Sequence, residues 1–230
     1  MKTEHVNEFS TLFFSCLFQL HLETRYGHLM NDELLLGLLH ESFMEFMSNK
    51  GIQELMLSLK DHDETSFLHS FDVMLLAGIS SYKAKTYNKT FVRGAFLHDV
   101  GKLLVPAFIL QKNGKLTVDE FETIKSHTVL GEHILLQLGL KKEAILARHH
   151  HERVSGNGYP DGLVGTDIPF EARLLGVLDV YSALTLERPY KRAFSNEEAF
   201  DMMLHEVNAY DLSILENFMA HSILNKDIIT

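Results

Sequence analysis

The sequence has 230 residues, of which 46% are hydrophobic and 23% charged, and a formal net charge of −10 at pH 7. This composition is typical of a soluble globular protein with one substantial core, and the acidic balance argues against binding a nucleic-acid polymer, which requires a basic surface. Cys16 is the single cysteine, which excludes a disulfide framework and a cysteine-based zinc site and favours a cytoplasmic setting.

The first part of the chain carries two helical patterns. Apolar residues between Val6 and Leu20 recur with the spacing of one helix face. This apolar segment is shorter than the about 20 residues that cross a bilayer, so we expect no membrane span. A second amphipathic pattern follows Asn31 and Asp32, either of which can cap its first turn. Because both apolar faces need a surface that buries them, we assign residues 1–55 to an N-terminal helical module for regulation or dimerisation.

The second predicted domain, residues 56–230, is also helical. A capping box at residues 117–120 predicts one uninterrupted helix that ends near Gly139. A second capping box at residues 195–198 opens a later helix, whereas the glycines and prolines of residues 154–169 predict a long irregular loop. Alternating strand patterns are nearly absent. The sequence therefore predicts an all-α fold with one long functional loop.

Histidines and aspartates recur inside the apolar helical segments. His98 and Asp99 stand side by side, and an aspartate can bridge two metal ions with its two oxygens. Asp179 lies in an almost uncharged segment, LLGVLDVYSALT, where a buried carboxylate implies a nearby cation. A single such residue is most simply a hydrogen-bonded core group, but their joint occurrence points to a metal site. The candidate ligands are His69, His98, Asp99, His127, His150, His151 and Asp179.

These motifs resemble those of the HD-GYP branch of the HD phosphohydrolase superfamily, bacterial enzymes that degrade cyclic di-GMP. HDVGKLLVPAFIL is similar to the HD-x-GK-x-x-x-P block of that family. HHHERVSGNGYPDG carries its HHE and GYP signatures, and ERPYK carries its RPYK motif. The resemblance runs roughly from Asp63 to the end of the chain, whereas residues 1–55 carry none. It implies an HD-type helical bundle.

The resemblance also implies a binuclear metal centre. The seven candidate ligands match the metal-binding positions of the family, with Asp99 as the bridge between two divalent ions. We expect iron first, with manganese or zinc as alternatives. His149 falls at a variable position and is not expected to bind metal. Thr65 stands where family members with a third metal carry a glutamate, so we expect two metals.

The family pattern further implies roles in substrate binding and catalysis. Asp99 and Lys102 would be the catalytic residues. Glycines let the loop backbone approach a ligand closely, and an exposed Tyr159 ring could stack on a guanine. The implied substrate contacts are Lys102, Gly158, Tyr159, Pro160, Arg188 and Lys191.

The leading interpretation is a phosphodiesterase that opens cyclic di-GMP to pGpG through a hydroxide activated by two metals, with further cleavage to GMP left open. No residue of the sequence can be assigned to recognition of a particular base, so another cyclic dinucleotide stays open as the substrate. Ser155 and Ser182 stand where the family usually carries aspartate, which keeps a third interpretation open, a catalytically weak, metal-containing receptor for cyclic dinucleotides. Residues 1–55 would then contact a second copy of the chain or a signalling partner.

Overall fold

The computed structural model describes residues 2–20, 31–187, 192–206 and 208–223. These residues form α-helices and two short 3-10 helices, with no β-strand among them, which confirms the predicted all-α fold. No helix in this part of the chain has the length and apolar character needed to cross a membrane. The helices are α1 (Lys2–Gln19), α2 (Glu33–Ser48), α3 (Lys50–His62), α4 (Glu64–Lys83), α5 (Lys89–Leu97), a 3-10 helix (Val100–Leu104), α6 (Ala107–Leu110), α7 (Val118–Lys125), α8 (His127–Gln137), α9 (Lys141–His149), a 3-10 helix (Gly165–Asp167), α10 (Phe170–Thr185), α11 (Asn196–His205) and α12 (Leu212–Ile223).

An aromatic column joins the N-terminal helices to the rest of the bundle. The Phe13 ring of α1 lies 5.5 Å from the Phe43 ring of α2 and 5.4 Å from the Phe71 ring of α4, measured between centroids. Phe43 also packs 5.6 Å from Phe96 of α5. Such edge-to-face and tilted pairs add to the stabilisation that burial provides. The N-terminal helices thus share one hydrophobic core with α4 and α5, while the regulatory or dimerising role of residues 1–55 stays a prediction.

Local capping signals position most helix ends. Asp32 accepts a hydrogen bond from the backbone N–H of Leu35 at 2.9 Å and begins α2. Both predicted capping boxes are present, at the start of α7 and of α11. Gly139 follows α8 with a φ of +75°, the left-handed conformation expected at a helix end.

The prediction of one uninterrupted helix after residues 117–120 is wrong, because the helix is interrupted at Ser126, between α7 and α8. The Ser126 hydroxyl donates to the Thr123 carbonyl at 2.6 Å, and His127 Nδ1 bonds the Ile124 carbonyl at 2.6 Å. Side chains here take over carbonyl oxygens that a continuing helix would use. The break turns the buried imidazole of His127 toward the centre of the bundle.

Two glycines allow helices to approach closely around that centre. A Cβ atom on Gly101 would overlap the carbonyl oxygen of His127, so the segment after α5 lies directly on the backbone of α8. A Cβ atom on Gly176 of α10 would lie 2.8 Å from the carbonyl oxygen of His150. Glycine is required at both positions because any side chain would separate these segments.

Candidate metal centre

Segments from five parts of the bundle bring all seven candidate ligands together. Each side chain enters from a helix or from the residues that directly follow one, so the backbone at each position is held by packing. Six of the seven residues are buried, and the His151 side chain is 20% exposed. The contributions are His69 from α4, His98 and Asp99 after α5, His127 from the start of α8, His150 and His151 after α9, and Asp179 from α10.

The centre has two halves, which differ in their donor atoms. In the carboxylate half, one ligand atom each from His69, His98 and Asp99 lie within 4.8 Å of one another. Asp179 belongs to the same half, because its Oδ1 lies 2.8 Å from His69 Nε2. The histidine half consists of three imidazoles whose ligand atoms also lie within 4.8 Å of one another. Its members are His127, His150 and His151.

Asp99 spans the two halves with its two carboxylate oxygens. Its Oδ2 lies 3.3 Å from His98 Nε2 and 3.9 Å from His69 Nε2. Its Oδ1 lies 3.3 Å from His127 Nε2 and 3.9 Å from His150 Nε2. This arrangement places one carboxylate between two groups of nitrogen donors, as a bridging ligand requires.

Asp179 spans the halves in a similar way. Its Oδ1 faces His69, whereas its Oδ2 lies 3.7 Å from Nδ1 of His151 in the histidine half. Asp179 Oδ1 also lies 3.8 Å from His98 Nε2. The sequence indicated one aspartate between the halves, and the structure has two in that position.

Backbone carbonyls orient three of the histidines. The Nδ1 atom of His98 bonds the Ala95 carbonyl at 2.7 Å, and the Nδ1 atom of His150 bonds the Ala147 carbonyl at 2.9 Å. His127 Nδ1 bonds a carbonyl of α7 in the same way. Because a carbonyl only accepts, a hydrogen sits on Nδ1 of each ring, and Nε2 is the nitrogen that points into the centre.

The residues present fit divalent metal binding. His98 Nε2 and Asp99 Oδ1 are buried, and neither has a hydrogen-bond partner among the described residues. Buried polar atoms are almost always paired, so these two atoms point to an interaction that the protein itself does not supply. Imidazole nitrogens and carboxylate oxygens are the donors that divalent iron, manganese and zinc share.

The electrostatics keep these donors ready to bind a cation. Burial lowers the pKa of His127 to about 4 and lowers the pKa of His150 and His151 well below the usual value, so these rings are neutral at pH 7. Burial alone would raise the pKa of Asp99, but the Lys102 ammonium and the neighbouring imidazoles hold that pKa well below its usual range. Metal binding needs deprotonated ligands, and this environment keeps these four side chains deprotonated at pH 7.

Lys102 lies beside the bridging carboxylate. Its Nζ donates a hydrogen bond to Asp99 Oδ2 at 2.6 Å, and its side chain is 19% exposed. The 3-10 helix after α5 places Lys102 three residues beyond Asp99, so both side chains extend to the same side. A cation is thereby held at the boundary between the centre and solvent.

Glu152 anchors the glycine-rich loop. Its buried carboxylate accepts hydrogen bonds from three successive backbone N–H groups, those of residues 161, 162 and 163, at 2.7, 3.1 and 3.0 Å. A Cβ atom on Gly158 would overlap the backbone of Glu152 and Arg153. The loop therefore closes tightly on the end of α9.

Tyr159 is partly buried, which corrects the prediction of an exposed ring. Its ring lies 4.8 Å from the His151 ring, centroid to centroid, because Gly158 lets the loop fold back onto the histidine half. The Lys125 ammonium lies 5.5 Å from the centre of the Tyr159 ring and 5.6 Å from that of Phe121. Tyr159 thus lies between the histidine half and a partly exposed pair of side chains, Phe121 and Lys125.

Three of the sequence expectations concern residues away from the cluster. His149 has its Nε2 atom 3.0 Å from Asp161 Oδ2, so this nitrogen is turned to the loop carboxylate. Arg188 and Lys191, the implied phosphate contacts, lie outside the described residues.

Sequence reasoning missed Asp72, Lys125 and the anchoring role of Glu152. Asp72 is fully buried in α4 and bonded to Ser182. An aspartate inside the apolar run SFDVMLLAG is the same signal that marked Asp179, and it could have identified Asp72. Lys125 stands two residues before His127 but carries no comparable sequence signal.

Comparison with known proteins places this geometry in context. Residues 78–214 match the family described as the HD domain. The chain is 46% identical over 110 residues to the cyclic di-GMP phosphodiesterase response regulator RpfG of Xanthomonas campestris, a match that covers 45% of this chain and 28% of RpfG. It is 36% identical over 170 residues to the cyclic di-GMP phosphodiesterase PA4108 of Pseudomonas aeruginosa, covering 71% of this chain and 41% of that protein.

A third relative carries a different substrate in its name. The chain is 40% identical over 113 residues to 3'3'-cGAMP-specific phosphodiesterase 1 of Vibrio cholerae, covering 49% of this chain and 26% of that protein. The chain thus spans less than half the length of each of these three relatives.

The fold has a counterpart among solved structures. Bd1817, an HDG"Y"P protein from Bdellovibrio bacteriovorus, superposes with a TM-score of 0.57 over 71% of this chain and 53% of Bd1817, at 22% identity. This similarity shows that the helical bundle is of the HD type.

Proposed function

Because this chain belongs to the HD-GYP branch of the HD-domain family, we propose that it is a metal-dependent phosphodiesterase that hydrolyses cyclic di-GMP to pGpG or, by a second cleavage, to GMP. The observation that carries the proposal is the position of Asp99, whose two oxygens face two separate groups of imidazole nitrogens. A donor arrangement of this kind suits two divalent ions that share one carboxylate. The identities of 46% and 36% to relatives named cyclic di-GMP phosphodiesterases support the choice of substrate.

The proposed metal ligands are the seven residues of the two halves. Iron is the preferred metal and manganese or zinc the alternatives, because the donors are imidazole and carboxylate with no sulfur among them. When bound, two such ions lower the pKa of water and stabilise negative charge on a phosphodiester. The ligands are His69, His98, Asp99, His127, His150, His151 and Asp179.

Lys102 is proposed as the residue that contacts a phosphate oxygen of the substrate. Its ammonium already lies beside Asp99 at the boundary with solvent, where an anionic phosphodiester bound at the centre would meet it. A charge-assisted hydrogen bond from this lysine strengthens as negative charge develops on the phosphate. Asp99 and Lys102 are therefore the proposed catalytic pair.

The glycine-rich loop is proposed as the substrate loop. Gly158 permits the close approach of the loop to Glu152, and Tyr159 presents its ring beside His151. Base stacking on an aromatic ring contributes about 1–3 kcal/mol per base. Pro160 continues this loop, and Arg188 and Lys191 complete the proposed contacts to the phosphates.

A mixed guanine–adenine cyclic dinucleotide is the second candidate substrate. The observation that favours it is the 40% identity to a relative named as specific for 3'3'-cGAMP. The contacts proposed above are to phosphates and to a ring face, which both dinucleotides offer. Turnover must therefore be compared directly for the two nucleotides.

Residues 1–55 are proposed to mediate homodimerisation or contact with a signalling partner. Helices α1 and α2 expose Phe14, Phe18 and Leu34, with exposed fractions of 49%, 84% and 65%. Phe14 and Phe18 are four residues apart on α1 and therefore share one helix face, and exposed apolar side chains that lie close together favour association. Sedimentation of the parent and of Phe18→Glu tests this proposal, since only an interface on this face would weaken in the variant.

The experiment for the enzymatic proposal uses protein purified without oxygen. Metals per chain are measured by elemental analysis, and the same sample is incubated separately with cyclic di-GMP and 3'3'-cGAMP, with products separated by chromatography. We expect two metals per chain and conversion of cyclic di-GMP to pGpG or GMP. Faster conversion of 3'3'-cGAMP would favour the second substrate. Two metals with both nucleotides bound but uncut, after reconstitution with iron and with manganese, would identify a receptor.

A further inference from the structure

We infer that Asp72 and Ser182 form a hydrogen-bonded relay that positions His69 as a metal ligand, an inference that rests on the proposed role of His69. Both ring nitrogens of His69 face helix α10. Nε2 lies 2.8 Å from Asp179 Oδ1, and Nδ1 lies 2.9 Å from the Ser182 hydroxyl. Asp179 and Ser182 are three residues apart, so one turn of α10 contacts the whole edge of the ring.

The hydrogen bonds of the relay have a defined direction. The Ser182 hydroxyl donates its single hydrogen to Asp72 Oδ2 at 2.6 Å. Having used that hydrogen, the hydroxyl oxygen accepts from Nδ1–H of His69. The chain Asp72, Ser182, His69 thus holds a proton on Nδ1, so Nε2, which lies against Asp179 Oδ1 in the carboxylate half, is the nitrogen that would bind a metal.

This orientation differs from that of the other histidines. His98, His127 and His150 are each held by a carbonyl three residues earlier in the chain. His69 is held by a side chain 113 residues away. Its orientation therefore depends on the packing of α4 against α10.

Burial of the Asp72 carboxylate in the relay opposes folding, so the presence of this carboxylate calls for an explanation. Asp72 and Ser182 are both fully buried, and His69 is 3% exposed. Taking a carboxylate out of water costs several kcal/mol when its hydrogen bonds are incomplete. Carboxylates that accept a hydrogen bond from a metal-binding histidine, directly or through another group, orient the ring and make it a stronger ligand. The relay gives Asp72 this role, even though Asp72 is outside the set of ligands.

A compensatory exchange of side chains follows from the geometry. Ser182→Asp alone would place a second carboxylate against Asp72, and like charges in a buried site repel. Ser182→Asp combined with Asp72→Ser moves the carboxylate from α4 to α10, where it can accept directly from His69 Nδ1. The double variant should therefore regain what Ser182→Asp loses, a non-additive effect that independent sites do not show.

The test measures metal affinity by competition with a chelator, with folding followed by circular dichroism. We expect Ser182→Ala and the isosteric Asp72→Asn each to lower the affinity of the more weakly bound metal about 10–100-fold. The double variant should bind metal more tightly than Ser182→Asp. Ser70→Ala is the matched control, because Ser70 is a fully buried serine of α4 whose hydroxyl has no hydrogen-bond partner among the described residues.

Parental affinity in Ser182→Ala and Asp72→Asn would overturn the relay, as would an equal loss in Ser70→Ala, which would indicate a general packing effect. Absence of recovery in the double variant, with the helical signal intact, would also contradict it. Because affinity is measured without substrate, a parent that binds metal but leaves cyclic dinucleotides uncut would refute the proposed activity while the relay is still decided by the same titration.

Discussion

The two halves of the centre differ in their charge and in how one histidine, His69, is held. In the histidine half, two of the three rings take their orientation from a carbonyl of the adjoining turn, and no carboxylate belongs to that half alone. In the carboxylate half, the nitrogens of His69 lie against two side chains of α10, and Asp179 contributes a negative charge. Local carbonyls thus orient two rings of the histidine half and His98 of the carboxylate half, whereas the orientation of His69 depends on the packing of distant helices.

The two halves also differ in the charge of their side chains. Burial lowers the pKa of the rings in the histidine half. Burial would also lower the pKa of His98, but the carboxylates of Asp99 and Asp179 raise it overall. A metal ion in the carboxylate half is thus bound by anionic ligands, whereas one in the histidine half is bound mainly by neutral rings and the shared oxygens of Asp99 and Asp179.

Removing the carboxylate that spans both halves should have the largest effect. In Asp99→Ala, both halves lose an anionic ligand, so we expect loss of bound metal together with a decrease of at least about 100-fold in turnover. Elemental analysis and product chromatography on the same sample measure the two effects. Asp201→Ala, which removes an exposed aspartate of α11, is the control. Retention of both metals in Asp99→Ala would refute its bridging role.

Lys102→Ala separates catalysis from metal binding. The lysine contacts Asp99 through a hydrogen bond but has no lone pair to offer a metal while it is charged. We therefore expect both metals to remain and turnover to fall about 100-fold, the typical cost of removing one donor to a developing negative charge. Lys112→Ala removes a lysine that pairs with Glu120 away from the centre and should behave as the parent. Metal loss in Lys102→Ala would instead make this lysine a structural partner of Asp99.

The variant Tyr159→Ala tests whether the Tyr159 ring, which lies next to His151, binds a base of the substrate. Loss of the ring should raise KM about 10-fold with a smaller change in kcat, because base stacking contributes about 1–3 kcal/mol. Tyr159→Phe keeps the ring and should keep the parental KM. An unchanged KM in the alanine variant would remove Tyr159 from the substrate site, and an equal change in both variants would point to the phenol group.

Features encoded by neighbouring residues could be predicted from the sequence. Asp32 as a helix cap, the two capping boxes and the left-handed Gly139 each depend on residues only a few positions apart. The sequence also singled out the seven residues that the structure brings together around one centre, while their role as metal ligands stays a prediction. Local patterns are informative here because hydrogen bonds within one turn decide the structure.

Features that depend on competing or distant contacts could not be predicted in this way. The break at Ser126 arises because side chains compete for the carbonyls of α7, although the sequence around it has a continuous helical period. The role of Asp72 depends on a hydroxyl 110 residues away. The partial burial of Tyr159 depends on how the loop folds onto His151. In each case the decisive partner is set by tertiary packing or by a side chain that overrides the helical pattern.

The pH dependence of the metal-free protein should separate the two halves further. The unfolded pKa of histidine is about 6.5, whereas burial lowers the folded pKa of His127 to about 4. The unfolded chain therefore takes up protons first, so the free energy of unfolding falls as the pH decreases from about 6.5 to about 4. His98 has a raised pKa and contributes in the opposite direction, since its stabilisation is complete below about 6.5 and is lost as the pH rises through its folded pKa. Thermal melting across this range should show a decrease of a few degrees on the acid side in the parent and a smaller one in His127→Gln. An identical slope in the variant would mean that His127 does not contribute to the acid sensitivity.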